Sequence, residues 1–163
     1  MYILSRQIKE DVTRAFDRYK KYLELKREKF PQSAYELATS DWYFDFNRSK
    51  CPHDGWLESF SISEPSTGER HEIREVEINI ELLGAWHDGN IRFRYPNVGR
   101  YVVEGFSVGQ GHGDWLYDEF RVSSKGTLIH EIEWEDGRWL IEADDVDFSW
   151  HPFEDERRRK DLI

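Results

Sequence analysis

The chain has 163 residues, a formal net charge of −10 and one cysteine, Cys51. This length predicts a single domain, the lone cysteine excludes an internal disulfide and favours a reducing compartment, and the acidity disfavours nucleic acid as a partner. No apolar run approaches the ~20 residues of a membrane span, and the first residues do not resemble a secretory signal, so we expect a cytoplasmic protein. The acidity is concentrated in residues 61–153, which carry 19 Asp and Glu against 8 Lys and Arg.

Helical periodicity is confined to the first forty residues. Apolar side chains recur at spacings of three and four after Ser5, which we expect to cap an amphipathic helix ending near Lys29. Ser33 and Glu36 form an S-x-x-E pattern that predicts a short second helix over 34–39. The apolar stripe of the first helix most simply covers one face of a sheet, and it comprises Ile8, Val12, Ala15, Phe16, Tyr19, Tyr22, Leu23 and Phe30.

Alternation of apolar and polar residues predicts strands over most of the remaining chain. Clusters of turn-forming residues separate these strands. Single strands are predicted over 42–46, 57–63, 100–108, 115–122 and 146–150, and two hairpins over 73–95 and 127–143. The tail over 154–163 is charged and includes four consecutive basic residues at 157–160.

The hairpin over 73–95 is the clearest of these elements. Asp88-Gly89 matches a two-residue turn whose central positions tolerate a positive φ. With that turn, Leu82 opposes Tyr95, and the apolar residues of both strands share one face. The arginines of the return strand then lie on the acidic face, near Glu81. A slip of one residue would invert both faces, so the pattern specifies the face of every side chain.

In the second hairpin, the predicted register brings carboxylates together. With Asp136-Gly137 as the turn, Glu131 lies directly opposite Glu142, and Glu133 lies two residues away on the same face. Like charges across a strand pair are destabilising, so a metal, a basic partner or water must offset them. A solvated face is the simplest interpretation. A partner-facing acidic patch and general acid–base chemistry are the alternatives.

His130 falls on the apolar face of the same hairpin, between Leu128 and Ile132. Its ring nitrogens need partners there, and Asp118 or Glu119 on the preceding strand could supply one. A paired carboxylate and histidine form the core of many active sites, but the sequence offers no obvious nucleophile beside them. We therefore favour a hydrogen-bonded core histidine. The catalytic alternative uses His130 with Asp118 and Glu119.

Two loops contain residue types that carry chemistry. The glycine-rich run at 109–113 does not match a dinucleotide motif, because a strand rather than a helix follows it. His112 in this loop, with Trp115 and Tyr117 after it, suits recognition of a partner. The second loop holds Cys51, Pro52, His53 and Asp54, which are too few ligands for zinc. A thiol paired with a histidine is its alternative interpretation, and we predict no metal and no cofactor.

Aromatic residues are abundant, with 7 Trp, 8 Tyr and 10 Phe. Four tryptophans lie near turns or element ends, where an indole is often half exposed: Trp56, Trp86, Trp115 and Trp150. Exposed aromatic side chains beside carboxylates are typical of interaction hot spots. Most of the aromatic residues are nevertheless expected to fill the core.

These patterns predict an α+β fold. Helices over 5–39 pack on a mainly antiparallel, meander-like twisted sheet of roughly six to eight strands spanning 42–150, with the charged tail after it. No βαβ unit, repeat or second domain is indicated.

The functional hypothesis is a non-enzymatic binding protein whose acidic sheet engages a basic protein partner. A concrete form is a bacterial immunity-type inhibitor of a basic, nuclease-like toxin, based on size, acidity and aromatic content alone. One alternative is a small enzyme or small-ligand domain with a helix–sheet pocket around His130 and Asp118. Another is a self-associating structural subunit. No nucleic acid or membrane partner is expected, and the predicted contacts are Glu131, Glu133, Glu142, Trp115, Tyr117 and His112.

Overall fold

Two four-stranded antiparallel sheets face each other, and two helices lie along one side of them. The computed structural model describes residues 3–6, 11–105, 109 and 111–154. Helices packed on antiparallel sheets confirm the α+β class. The elements are α1 Val12–Lys26, α2 Gln32–Thr39, β1 Trp56–Ser63, β2 Ser66–Thr67, β3 Ile73–Arg74, β4 Glu77–Leu83, β5 Gly89–Tyr95, β6 Arg100–Gly105, β7 Trp115–Val122, β8 Leu128–Trp134, β9 Gly137–Ala143 and β10 Asp147–Pro152.

The strands divide among three sheets rather than one. The first sheet has the order β1-β4-β5-β10, the second has the order β6-β9-β8-β7, and β2 and β3 form a separate small pair. The inner faces of the two large sheets meet in an aromatic core. Phe93 stacks on Trp115 with ring centres 5.5 Å apart, and Phe60 contacts Trp139 at 4.9 Å. A second sheet was not visible in the sequence, because alternation gives the face of a strand but not its neighbours.

Helix α1 begins later than the sequence predicts. Asp11, not Ser5, is its N-cap, and the Asp11 carboxylate accepts a hydrogen bond from the backbone N–H of Thr13. The predicted end near Lys29 is confirmed, since a 3₁₀ turn over Arg27–Lys29 closes the helix. Ile8 of the predicted stripe lies outside the described residues. No helix in the described part of the chain is long and apolar enough to cross a membrane.

The N-terminus of helix α2 is capped by a residue that is distant in the sequence. The predicted capping box is wrong, because the helix starts at Gln32 and no side chain of its own caps it. The carboxylate of Asp145 instead accepts hydrogen bonds from the backbone N–H groups of Ser33 and Ala34, at 3.2 and 2.9 Å. This contact places the start of α2 beside the link between β9 and β10.

Helix α1 covers the edge of the second sheet at β7. Tyr19 Oη accepts a hydrogen bond from the backbone N–H of Phe120 at 2.7 Å and donates one to the carbonyl of the same residue at 2.9 Å. Tyr22 Oη accepts a further bond from the N–H of Val122 at 3.0 Å. The helix thereby provides partners for backbone groups that an edge strand would otherwise leave open.

The register of the first hairpin differs from the prediction by four residues. Tyr95 pairs with Ile78 rather than Leu82, and the loop spans 84–88 instead of Asp88-Gly89 alone. A shift of four preserves the faces, so the predicted apolar face is present and Arg92 lies 3.0 Å from Glu81.

The second hairpin differs by two residues. Trp134 pairs with Gly137, which leaves residues 135–136 as the turn. Glu131 therefore opposes Leu140, and Glu142 opposes Ile129. The predicted Glu131–Glu142 pair is wrong.

The segment 42–46 does not form the predicted strand. It runs through turns beside the helices, with Tyr43 fully buried and its ring 4.8 Å from that of Phe44. Strand β6 is described as far as Gly105, and residues 106–108 of the predicted strand lie outside the described residues. The same holds for the basic run at 157–160.

Candidate functional site

Buried hydrogen bonds surround the carboxylate of Asp118. Its Oδ2 accepts hydrogen bonds from Tyr43 Oη at 2.7 Å and His130 Nε2 at 2.9 Å, and its Oδ1 accepts one from Trp115 Nε1 at 3.0 Å. Nδ1 of His130 lies 2.7 Å from Tyr95 Oη. One tautomer gives every polar atom a partner, with the ring proton on Nε2 and Tyr95 donating to Nδ1. These five side chains make up the Asp118 network.

The Asp118 network is closed to solvent. His130 is 0% exposed and Asp118 is 4% exposed. The cavity beside Asp118 has a volume of about 10 Å³, which is room for one water molecule at most. Burial, reinforced by the charge of Asp118, raises the pKa values of Tyr43 and Tyr95, so both hydroxyls stay protonated and can donate. This geometry fixes the core and gives a substrate no access to the histidine.

Glu119 lies on the opposite face of the second sheet from His130. Phe120 pairs with His130, so its neighbour Glu119 points away and pairs with Glu131. Arg121 lies between the two carboxylates, with Nε 3.0 Å from Glu119 Oε1 and Nη2 2.7 Å from Glu131 Oε2. The N-terminal segment covers Glu119, whose Oε2 accepts the backbone N–H of Leu4 at 2.8 Å. The repulsion between the Glu119 and Glu131 carboxylates is therefore offset by Arg121 of the same chain.

The other two predicted contact glutamates are also engaged within the chain. Glu133 is 3% exposed, accepts the backbone N–H of Arg6 at 3.1 Å and lies 3.4 Å from the guanidinium Nε of the same residue. Glu142 is partly exposed and accepts a hydrogen bond from Thr127 Oγ1 at 2.6 Å. The three glutamates therefore do not form one solvent-facing cluster.

Glu119 makes stability depend on pH. Burial raises its pKa from the ordinary value of 4.5 to about 7, against the opposing effect of the backbone N–H donors. The folded chain then keeps a proton that the unfolded chain releases between pH 4.5 and 7, so the free energy of unfolding falls as pH rises through that window. Asp45, Glu77 and Glu81 accept hydrogen bonds that lower their pKa values, so they change protonation at lower pH.

We expect Glu119→Gln to remove this dependence. As pH rises from 4.5 to above 7, the free energy of unfolding of the variant should increase by on the order of 3 kcal/mol relative to that of the unchanged chain, because glutamine has no charge to desolvate. Urea unfolding of both chains across this range measures the difference. A difference that stays constant with pH would contradict the assignment to Glu119.

The most exposed tryptophans lie close to one end of the first sheet. Trp56 is 50% exposed and Trp86 is 61% exposed. The indole Nε1–H of Trp56 donates to Asp114 Oδ1 at 2.8 Å, and its ring contacts that of His87 at 4.7 Å. Trp86 and His87 are adjacent in the β4–β5 loop, where His87 has a φ of +52°. Trp56, Trp86, His87 and Asp114 make up the tryptophan patch.

The acidic turn between β8 and β9 is bonded to the loop that carries Asp114 of the tryptophan patch. The backbone N–H of Glu135 donates to the carbonyl of Asp114 at 2.8 Å, and that of Asp136 donates to the carbonyl of His112 at 2.9 Å. Both acids belong to the turn between β8 and β9, which therefore holds the loop over 111–114 in place. Gly113 is required there, because its φ is +68° and a Cβ would lie 2.5 Å from the Glu135 carboxylate.

The predicted contacts Trp115, Tyr117 and His112 are buried to different degrees. Trp115 is fully buried and has no surface to offer a partner. Tyr117 is half-buried, and its ring centre lies 6.1 Å from that of His53. His112 is partly buried against Trp134 and Trp139, at 5.6 and 5.1 Å. Of the four tryptophans near element ends, Trp56 and Trp86 are the exposed pair.

The loop with Cys51 and His53 has no reactive pair. Burial raises the pKa of the Cys51 thiol to about 12, and its Sγ donates to the carbonyl of Tyr43 at 3.0 Å. His53 stacks on Phe46 with ring centres 3.7 Å apart, and its Nδ1 lies 2.6 Å from the carbonyl oxygen of Leu116. The thiol is held in its neutral form and contacts the backbone rather than the histidine.

A cleft lies between the helices and the 40–45 segment. Its volume is about 590 Å³, and its floor is aromatic, including Phe16, Tyr35 and Phe44. Lys20, Glu24 and Asp41 line it as well. His130 does not line this cleft, and the cavity beside its partner Asp118 is the one of about 10 Å³.

Across residues 3–6, 11–105, 109 and 111–154, no three His, Cys, Asp or Glu side chains are grouped so that they could hold a metal ion. No protein-family model matches the chain, and no curated protein matches it.

Proposed function

We propose that the chain is a cytoplasmic, non-enzymatic binding protein that engages a basic protein partner through the tryptophan patch. The observation that carries the proposal is the pair of exposed indoles, Trp56 and Trp86, of which Trp56 donates to the Asp114 carboxylate. The hydrogen bond from Trp56 to Asp114 and the ring contact with His87 fix the indole before binding, which lowers the entropy cost of an interface. Tryptophans of this kind are the commonest hot-spot residues.

Charge supports a basic partner. The chain carries −10, the patch includes Asp114, and the acidic turn with Glu135 and Asp136 is bonded to the backbone of the Asp114 loop. Opposite fields accelerate encounter and disfavour acidic competitors such as nucleic acid. A bacterial immunity-type inhibitor, whose carboxylates occupy the phosphate site of a nuclease-like toxin, is the specific form of this proposal.

The binding test compares four tagged chains as bait in cell extract at low and high salt. The unchanged chain should retain a basic protein at low salt and lose it at high salt, since salt screens surface charge. The double variant Trp56→Ala, Trp86→Ala should bind the same protein tenfold or more weakly, by the order of magnitude typical of hot spots. Titration of the purified pair measures the change.

Phe46→Ala is the matched control, because Phe46 is 41% exposed and lies outside the patch. It should bind like the unchanged chain. Asp114→Asn keeps a hydrogen-bond acceptor for Trp56 but removes its charge, so it should reduce the salt dependence as well as the affinity. If no basic protein is retained, or the tryptophan variant binds as tightly as the control, the proposal fails.

A second candidate function is small-ligand binding in the cleft between the helices. Its volume of about 590 Å³ and its aromatic floor are typical of a site for a small organic molecule. Glu24, Asp41 and Asp45 on its wall outnumber Lys20, which favours a cation with an apolar body. A thermal-shift screen of aromatic and aliphatic amines, with Asp41→Asn as the variant that should lose any shift, tests this candidate.

A further inference from the structure

The four edge strands of the two large sheets differ in how they are protected. Helix α1 covers β7 through Tyr19 and Tyr22. Strand β10 ends in Pro152 and contacts α2, and β1 contains a bulge between Leu57 and Ser59. Cover, proline and bulges are the usual devices that stop an edge from pairing with another chain.

Among the residues that the structure describes, strand β6 has none of these three devices. Its residues Arg100–Gly105 pair with β9 on one side and with no other strand in the described part of the chain. The strand contains no proline, and its register with β9 runs without a shift. Backbone groups that point away from β9 are therefore available to a further strand.

Apolar side chains accompany this open edge. Tyr101 and Val103 pair with Ile141 and Trp139, which belong to the inner face of the second sheet. Tyr101 is nevertheless 46% exposed and Val103 is 40% exposed. An added strand would cover them.

The charged residues of β6 indicate which strand could pair with this edge. Arg100 and Glu104 lie two residues on either side of Val102. In the register they lie opposite Glu142 and Arg138 of β9, but within the described residues neither makes a side-chain hydrogen bond or ion pair. Charges on an edge strand usually prevent pairing. Here they are self-complementary, because antiparallel pairing of two identical strands centred on Val102 places Arg100 of each copy opposite Glu104 of the other.

We propose that β6 pairs with β6 of a second copy of this chain, in antiparallel register about a twofold axis through Val102. The interface is isologous, and it joins the two second sheets into one continuous sheet of eight strands. Tyr101 of each copy faces Val103 of the other on the inner side. A six-residue strand buries less surface than a standard interface, so the dimer forms in a concentration-dependent equilibrium. This association requires no partner protein and is independent of the proposed function.

Sedimentation velocity over a range of concentrations, with the full chain, tests the dimer. The average mass should rise from monomer towards dimer as concentration increases. Arg100→Glu and Glu104→Arg should each weaken dimerisation about tenfold or more, because each replaces two opposite-charge contacts by two like-charge contacts. The double variant Arg100→Glu, Glu104→Arg should restore dimerisation, since the pairs are then reversed but still complementary.

Lys125→Glu, an exposed change in the β7–β8 turn, is the control for net charge and should dimerise like the unchanged chain. Circular dichroism checks that each variant is folded, which is expected because Arg100 and Glu104 are exposed. A monomer at every concentration overturns the proposal. A dimer that resists the single changes, or that the double variant does not restore, shows a different surface or register and overturns it equally.

Discussion

Replacing Asp118 with alanine is expected to lower the free energy of unfolding by about 3–5 kcal/mol. Donors from Tyr43, Trp115 and His130 share this carboxylate as their acceptor, and all three are buried. Removing it leaves three buried donors unsatisfied and opens a cavity beside them. The loss is a large part of the roughly 5–15 kcal/mol that keeps an ordinary domain folded. Urea unfolding, with midpoint and slope compared to the unchanged chain, measures it.

Asp118→Asn is the matched control for this prediction. Asparagine keeps an oxygen for Trp115, and one amide N–H can donate to His130 Nε2 if the ring proton moves to Nδ1 and donates to Tyr95 Oη. The other amide N–H can donate to Tyr43 Oη, which then accepts a hydrogen bond instead of donating one. We therefore expect a loss below about 2 kcal/mol for this variant. If Asp118→Ala and Asp118→Asn unfold at the same urea concentration, the carboxylate does not hold the network together, and the predicted role of Asp118 is wrong.

The sequence was informative about the Asp118 network because alternation fixes the face of a residue. His130 falls between Leu128 and Ile132, so the pattern alone places a polar ring among apolar neighbours and requires a partner for it. The choice of Asp118 over Glu119 depends on the register between β7 and β8, because the register decides which of the two side chains lies beside His130. That choice is settled by the pairing of Phe120 with His130, which a single sequence does not reveal.

Both hairpin registers were mispredicted for one physical reason. Asp-Gly is a strong signal for a two-residue turn with positive φ, but neither Gly89 nor Gly137 has a positive φ. Each begins a strand and is needed where another strand comes close. A Cβ on Gly89 would lie 2.6 Å from the Trp150 ring, and one on Gly137 would lie 2.5 Å from the carbonyl oxygen of Glu104. The glycines serve contacts between strands that are distant in sequence.

The candidate site was only partly predictable. Position near a turn marks Trp56, Trp86 and Trp115 alike, yet Trp115 is fully buried and the other two are at least half exposed. The difference arises from the facing sheet, which places Phe93 over Trp115. The bond from Trp56 to Asp114 joins residues 58 positions apart, and no local signal in the sequence announces it. The segment 42–46 shows the same limit, because its alternating aromatics pack beside the helices.

Tyr19→Phe is expected to destabilise the chain by about 2–4 kcal/mol, although it removes one oxygen atom. That oxygen is the partner of both the N–H and the carbonyl of Phe120 on the β7 edge. Tyr19 is 1% exposed and Phe120 is 0% exposed, so water cannot readily replace the hydroxyl. Burial also raises the pKa of Tyr19, which keeps its proton available for the carbonyl. Urea unfolding measures the loss, and faster amide exchange at Phe120 locates it.

Tyr22→Phe is the matched control on the same helix, one turn later. Its hydroxyl accepts one bond, from the N–H of Val122, and both residues are partly exposed. Water can satisfy that N–H when the hydroxyl is gone, so we expect a loss of only about 0.5–1 kcal/mol. A Tyr19→Phe effect no larger than that of Tyr22→Phe would mean that α1 is held on β7 by apolar contact alone. A clearly larger effect would mean that helix and edge strand are joined by backbone hydrogen bonds, and that α1 is what keeps β7 from pairing with a further strand.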